Sequence, residues 1–142
     1  MFVKRIIAGA ALVALCSGCA SGLSAPQKAE YARYEAKGQL VEEKSPGAGA
    51  ALGLLPGGGS FYGREYGYGV LNLLLWPLSI LWDPVSGYDA AKSINYQATR
   101  ANLESKSEKE LTALDDQLKS GQIDLASYTL EKRKIDKKYG TD

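Results

Sequence analysis

The sequence predicts a mostly α fold: short helices, a glycine- and aromatic-rich hydrophobic hairpin in the middle, and a two-helix hairpin at the C-terminus. Three observations lead there. Helix-capping residues recur, in Ser24-Ala25-Pro26-Gln27, in Ser107-Glu108-Lys109-Glu110 and at Asp124. Apolar residues follow the last two at helical spacing, first Leu111, Leu114 and Leu118, then Leu125, Tyr128, Ile135 and Tyr139. Between residues 45 and 87 the composition shifts to glycine, tyrosine and leucine, punctuated by prolines that bound or kink a helix.

The chain starts with Lys4 and Arg5, an apolar core from Ile6 to Leu15, and small residues running into Cys19. Such a core is too short to span a bilayer and ends as an export signal does. The ending Cys16-Ser17-Gly18-Cys19 resembles the lipobox of bacterial lipoproteins, with Cys16 standing where that family usually has leucine. The resemblance implies that residues 1–18 leave as a signal peptide and that Cys19 becomes a diacylated N-terminus. It also implies a location: Ala20, where aspartate would favour retention in the inner membrane, favours the outer membrane with the protein facing the periplasm.

Cysteine usage and composition then exclude several chemistries. With Cys16 removed and Cys19 capped by lipid, the mature chain has neither a disulfide nor a cysteine metal site. Histidine is absent, which removes the usual general base, the Ser-His-Asp arrangement and the commonest metal ligand. No catalysis, no metal and no cofactor beyond the covalent lipid are expected. Charge is balanced, 17 basic against 16 acidic residues, and 15 against 16 once Lys4 and Arg5 are gone, so no basic field points to nucleic acid.

Along the mature chain, residues 19–44 read as a tether with one helix over 24–37, whose early proline and Gln27 suit its first turn and whose end lies at Gly38. Residues 45–87 form the hydrophobic hairpin. Its first arm is small and apolar, and its turn, residues 57–69, holds Phe61, Tyr62, Tyr66 and Tyr68. Its second arm, residues 70–82, carries Trp76, Pro77 and Trp82. As a helix, residues 69–82 would reach only about 21 Å against a hydrocarbon core of about 30 Å, so a re-entrant or interfacial hairpin is expected, with these six aromatics at headgroup depth. The element 55-LPGGGSFYG-63 is similar to the turn of small two-span membrane hairpin proteins, although Arg64 and Glu65 interrupt it here and both arms are shorter. In the competing reading, residues 70–82 are the buried helix of a compact domain.

Trp82-Asp83-Pro84-Val85-Ser86-Gly87 reads as a stop and turn, with Asp83 a turn or cap residue, before a helix over residues 88–103 faced by Ala90, Ala91, Ile94, Ala98 and Ala101. Asn95, Tyr96, Gln97 and Thr99 are its expected polar side. The last segment then forms a helical hairpin that turns at Gly121. Residues 114–124 with Tyr128 and Lys132 resemble the short C-terminal domain called SHOCT, found appended to membrane or oligomeric proteins, which implies association through Leu111, Leu114, Leu118, Ile123, Tyr128 and Ile135.

The functional expectation is a non-catalytic, lipid-anchored envelope protein that binds membrane lipid and either itself or another envelope protein. The alternative is a soluble periplasmic module, tethered by lipid, that binds an apolar ligand or partner.

Overall fold

The computed structural model describes residues 22–140. The fold is mostly α. Its elements are α1 (Ala25–Ala36), α2 (Pro46–Leu52), α3 (Gly58–Tyr62), α4 (Tyr66–Leu74), a 3-10 helix (Leu78–Leu81), α5 (Asp83–Lys119) and α6 (Leu125–Tyr139). The spine is α5, 37 residues long; α1, α2, α3, the 3-10 helix and α6 pack against it, and α4 packs on α3 and the 3-10 helix.

Two sequence expectations are corrected here. The stop and turn at residues 82–87 does not form: Pro84 occupies the first turn of α5, where its missing N–H would have had no partner, and the helix runs on from Asp83. Nor does a new helix start at Ser107; α5 passes through without a break to Lys119. The apolar run 70–82 is likewise divided. It comprises the last residues of α4, a turn containing a cis Trp76–Pro77 bond, and the 3-10 helix.

The buried face of α5 repeats every fourth residue: Asp83, Gly87, Ala91, Asn95, Thr99 and Leu103. Residues four apart lie nearly above one another on a helix, so this is one stripe. Small residues at its N-terminal end let backbones meet. A Cβ on Gly49 would stand 2.3 Å from the Gly87 carbonyl oxygen, and one on Gly53 would stand 2.4 Å from the Pro84 backbone. Gly49 and Gly53, one turn apart, thus bring α2 against α5 through main chain, the small-xxx-small way of packing two helices.

Polar residues in the middle of the stripe hold the linker between α1 and α2. The Asn95 Oδ1 accepts from the Glu43 and Lys44 amides at 2.9 and 2.8 Å, and its Nδ2 donates to the Lys44 carbonyl at 2.7 Å. The Thr99 hydroxyl accepts from the Val41 amide at 2.9 Å. Asn95 and Thr99, expected on the polar side, are therefore buried, because the linker has backbone groups that need partners, and Tyr96 is buried with α1. Further along, Leu23, Tyr31, Tyr34, Tyr96 and Leu103 form the aromatic core that seats α1, with Leu40 and Tyr139 packed against it. The Tyr96 hydroxyl donates to Glu30 at 2.5 Å.

The caps at Ser24 and Asp124 and the glycine stop at 121 form as read. The Ser24 amide donates to Gln27 Oε1 at 2.9 Å, and Asp124 accepts from the Ser127 amide at 2.8 Å to start α6. Gly121, at φ +73°, closes α5, with the Gln122 amide reaching back to the Gln117 carbonyl at 2.9 Å. The hairpin of α5 and α6 is tied by Tyr128 to Asp115 at 2.8 Å, and by Lys138 and Tyr139 to Glu110 at 2.7 and 2.6 Å. These contacts hold the Glu110 carboxyl below its ordinary range, Lys138 contributing most.

Candidate functional site

The region built by α2, α3, α4, the 3-10 helix and the start of α5 is turned inside out. Its interior is polar and small: Ser60, Asn72, Ser79 and Asp83 are each 2% exposed or less, among buried Gly53, Gly57, Gly59, Gly63, Gly69 and Gly87. Its exterior is apolar. Leu54, Leu55, Val70, Leu71, Leu73, Leu74, Leu75, Trp76, Leu78, Leu81, Trp82 and Val85 are all exposed, Leu74 and Leu81 by more than three quarters. A folded domain in water puts its large apolar side chains in the opposite place.

At the centre sits the Asp83 carboxylate. It accepts from the Gly59 amide at 3.0 Å, the Ser60 amide at 3.1 Å, the Ser60 hydroxyl at 2.6 Å and Asn72 Nδ2 at 2.8 Å. Gly59 and Ser60 belong to the first turn of α3, whose amides have no partner within their own helix, so Asp83 caps α3 from across the fold. The chain around it is glycine because it must be: a Cβ on Gly59 would lie 2.4 Å from the Asp83 carbonyl oxygen. Asn72 links the node to α4. Its Nδ2 also donates to the Ser60 hydroxyl at 2.9 Å, and its Oδ1 accepts from the Trp82 indole at 3.0 Å. Three elements, α3, α4 and α5, are thereby joined through hydrogen bonds where an ordinary core would use apolar contact. Ser79 is buried nearby in sequence, and its hydroxyl has no protein partner.

The expected interface aromatics occupy different positions. Tyr66, Trp76 and Trp82 are exposed by 66, 50 and 41%, and Phe61 by 37%, while Tyr62 and Tyr68 are half-buried. Tyr62 is tied to the linker: its hydroxyl accepts from the Ser45 amide at 2.9 Å and Lys44 lies 4.4 Å above its ring. Cys19 lies outside the described residues. Of the residues assigned to partner binding, Leu114 and Ile135 are buried within the C-terminal hairpin, and Leu111, Leu118, Ile123 and Tyr128 are half-buried. Leu125 and Leu130, exposed by 68 and 59%, are the large apolar side chains that α6 leaves uncovered.

Sequence reasoning missed the node. The available signal was Asn72, a polar residue inside a mostly apolar run, together with Ser79 in the same run and Asp83 directly after it.

Charge gathers on another side of this region. Arg64, held at φ +65°, pairs with Glu43, and Glu65 is half-buried beside them. Burial, and after it the Asp83 carboxylate, raises the Glu65 pKa above its ordinary value. The adjoining cleft of about 360 Å³ is lined by Glu43, Arg64, Glu65, Ser93, Ile94 and Gln97 among others. Among the described residues there is no cluster of potential metal ligands, and no helix is long and apolar enough to cross a membrane.

Comparison of the chain with family models, with curated proteins and with solved structures finds no match.

Proposed function

We propose that the chain is a non-catalytic, lipid-anchored protein of the cell envelope, held at Cys19 in the outer membrane and facing the periplasm. Its middle region rests in the leaflet, and its C-terminal hairpin serves association with itself or another envelope protein. The observation that carries this reading is the inversion of the middle region, with glycines and a hydrogen-bonded carboxylate inside and leucines and tryptophans outside. An exposed apolar surface of this kind marks contact with lipid or protein. In hydrocarbon the node is favourable, because its buried carboxylate, hydroxyl and amide are partnered within the protein, the Ser79 hydroxyl being the exception, and the small residues allow close packing.

The magnitudes agree. Moving a leucine as exposed as Leu74, Leu78 or Leu81 from water into an apolar phase is worth about 1–2 kcal/mol. A handful of such residues is enough for stable attachment without a spanning helix. The lipobox-like residues at Cys19 support an anchor entering the same membrane, and the SHOCT-like segment supports association at the far end of the chain.

The test replaces the segment through Cys19 with a non-lipidating secretion signal and follows the protein through alkaline carbonate extraction. Retention in the membrane pellet as dispersible protein is the expected result. Release as a soluble monomer would overturn the reading and make the apolar surface a site for a periplasmic ligand.

A further inference from the structure

We propose that the apolar surface of α4, the following turn and the 3-10 helix recognises the acyl-chain layer of one leaflet through gaps in lipid packing, and not through headgroup charge. This rests on the membrane reading above and specifies what in the bilayer is read.

The charges are the first ground. From Tyr66 to Trp82 there is no charged residue. Across residues 45–91 the charged residues are Arg64, Glu65, Asp83 and Asp89. The one cation is paired with Glu43, and Asp83 is fully buried. Lys44 and Lys92 border the region with their ammonium groups over tyrosine rings, 4.4 Å from Tyr62 and 4.8 Å from Tyr88. A surface that reads anionic headgroups instead presents several free lysines or arginines around its apolar part.

The second ground is the breadth of the apolar exposure. Tyr66, Val70, Leu71, Leu73 and Leu74 are exposed on α4 and, at 3.6 residues per turn, spread over about 160° of its circumference. An apolar stripe that packs on one neighbour is at least about 100° wide, and the arc here is well above that minimum. Exposure continues through Leu75, Trp76, Leu78 and Leu81 beyond the end of α4, over the turn and into the 3-10 helix. Such a broad, uncharged surface suits immersion in an apolar solvent better than pairing with a second copy. Because its helices are short, it enters most easily where headgroups are already spread, as in strongly curved membranes or those rich in small-headgroup lipids.

The test uses the mature chain carrying Cys19→Ser, sized in solution and mixed with vesicles of about 30 and 200 nm made of neutral lipid alone or with added anionic lipid, at low and high salt. Expected are stronger binding to the small vesicles and less than about a twofold change with anionic lipid or salt, where a headgroup-reading surface changes by about tenfold or more. Leu74→Ser with Leu81→Ser changes two exposed side chains and should lower binding by at least about tenfold while leaving the helix content intact. Binding that needs anionic lipid and disappears in salt overturns this inference and leaves the membrane reading standing. A soluble dimer that the leucine substitutions dissociate overturns it in favour of a second copy. Failure to bind any vesicle removes both.

Discussion

Replacing Asp83 with alanine should destabilise the middle of the protein severely, although the change removes only a small side chain. The carboxylate accepts four hydrogen bonds and is 0% exposed, so water cannot substitute for it. After truncation, the Ser60 hydroxyl and Asn72 still have each other at 2.9 Å, but the Gly59 and Ser60 amides are stranded. Each buried donor without an acceptor costs about 1–3 kcal/mol, which gives about 2–6 kcal/mol for the pair. A single domain is stable by about 5–15 kcal/mol in total, so the loss is a large fraction of it. Asp83→Asn keeps one acceptor oxygen but turns an NH2 group towards the Gly59 amide, and should fall between wild type and alanine. Both tryptophans, Trp76 and Trp82, lie in this region, so urea unfolding of residues 19–142 carrying Cys19→Ser, in mild detergent, can be followed by their fluorescence. With a slope near 2 kcal/mol per molar urea, Asp83→Ala should lower the midpoint by about 1–3 M. A shift below about 0.5 M, or a larger loss with asparagine than with alanine, would refute the account of the node.

Three further outcomes are expected. Gly49→Val drives a side chain into the Gly87 backbone, 2.3 Å from its carbonyl oxygen; it should cost at least about 1–3 kcal/mol and open residues 53–57 to limited proteolysis. Glu65 has a folded-state pKa raised by burial and by Asp83, so its contribution to stability is full below its ordinary value of 4.5 and is lost as pH rises through the folded-state value. Glu65→Gln should therefore raise the melting temperature at neutral pH and have no such effect in acid, as thermal scans at the two pH values would show. At Gly121 nothing lies within 4 Å of an added Cβ, so Gly121→Val tests the left-handed backbone alone. It should cost about 1–2 kcal/mol, read as faster amide exchange in α6.

What could be read from the sequence was local. The caps at Ser24 and Asp124 and the glycine stop at 121 depend on neighbours three or four residues away, and each formed. Signals that are symmetric in direction misled. Asp83-Pro84 suits either the end of one helix or the first turn of the next, and the hydrogen bonds that Asp83 makes 23 and 24 residues back in the chain, to Ser60 and Gly59, support the second. The capping residues at Ser107 are compatible with a helix interior once the preceding turn is already helical, as it is in α5. The apolar run at 70–82 was visible, but whether its leucines point in or out depends on what surrounds the protein, and periodicity carries no information about that. Asn95 and Thr99 were assigned to the solvent side for a related reason: their partners are backbone amides of a linker more than 50 residues away.

That α5 is unbroken has a mechanical consequence. Had the chain turned at residue 87 and paused at residue 107, the inverted region and the C-terminal hairpin would have been joined by hinges. Instead one helix runs about 54 Å from Asp83 to Lys119, at ~1.5 Å per residue. It acts as a lever: a tilt of about 10° at its N-terminal end sweeps the Gly121 turn through about 9 Å, given that length. Any tilt of the region around Asp83 would therefore reach Leu125 and Leu130 as displacement.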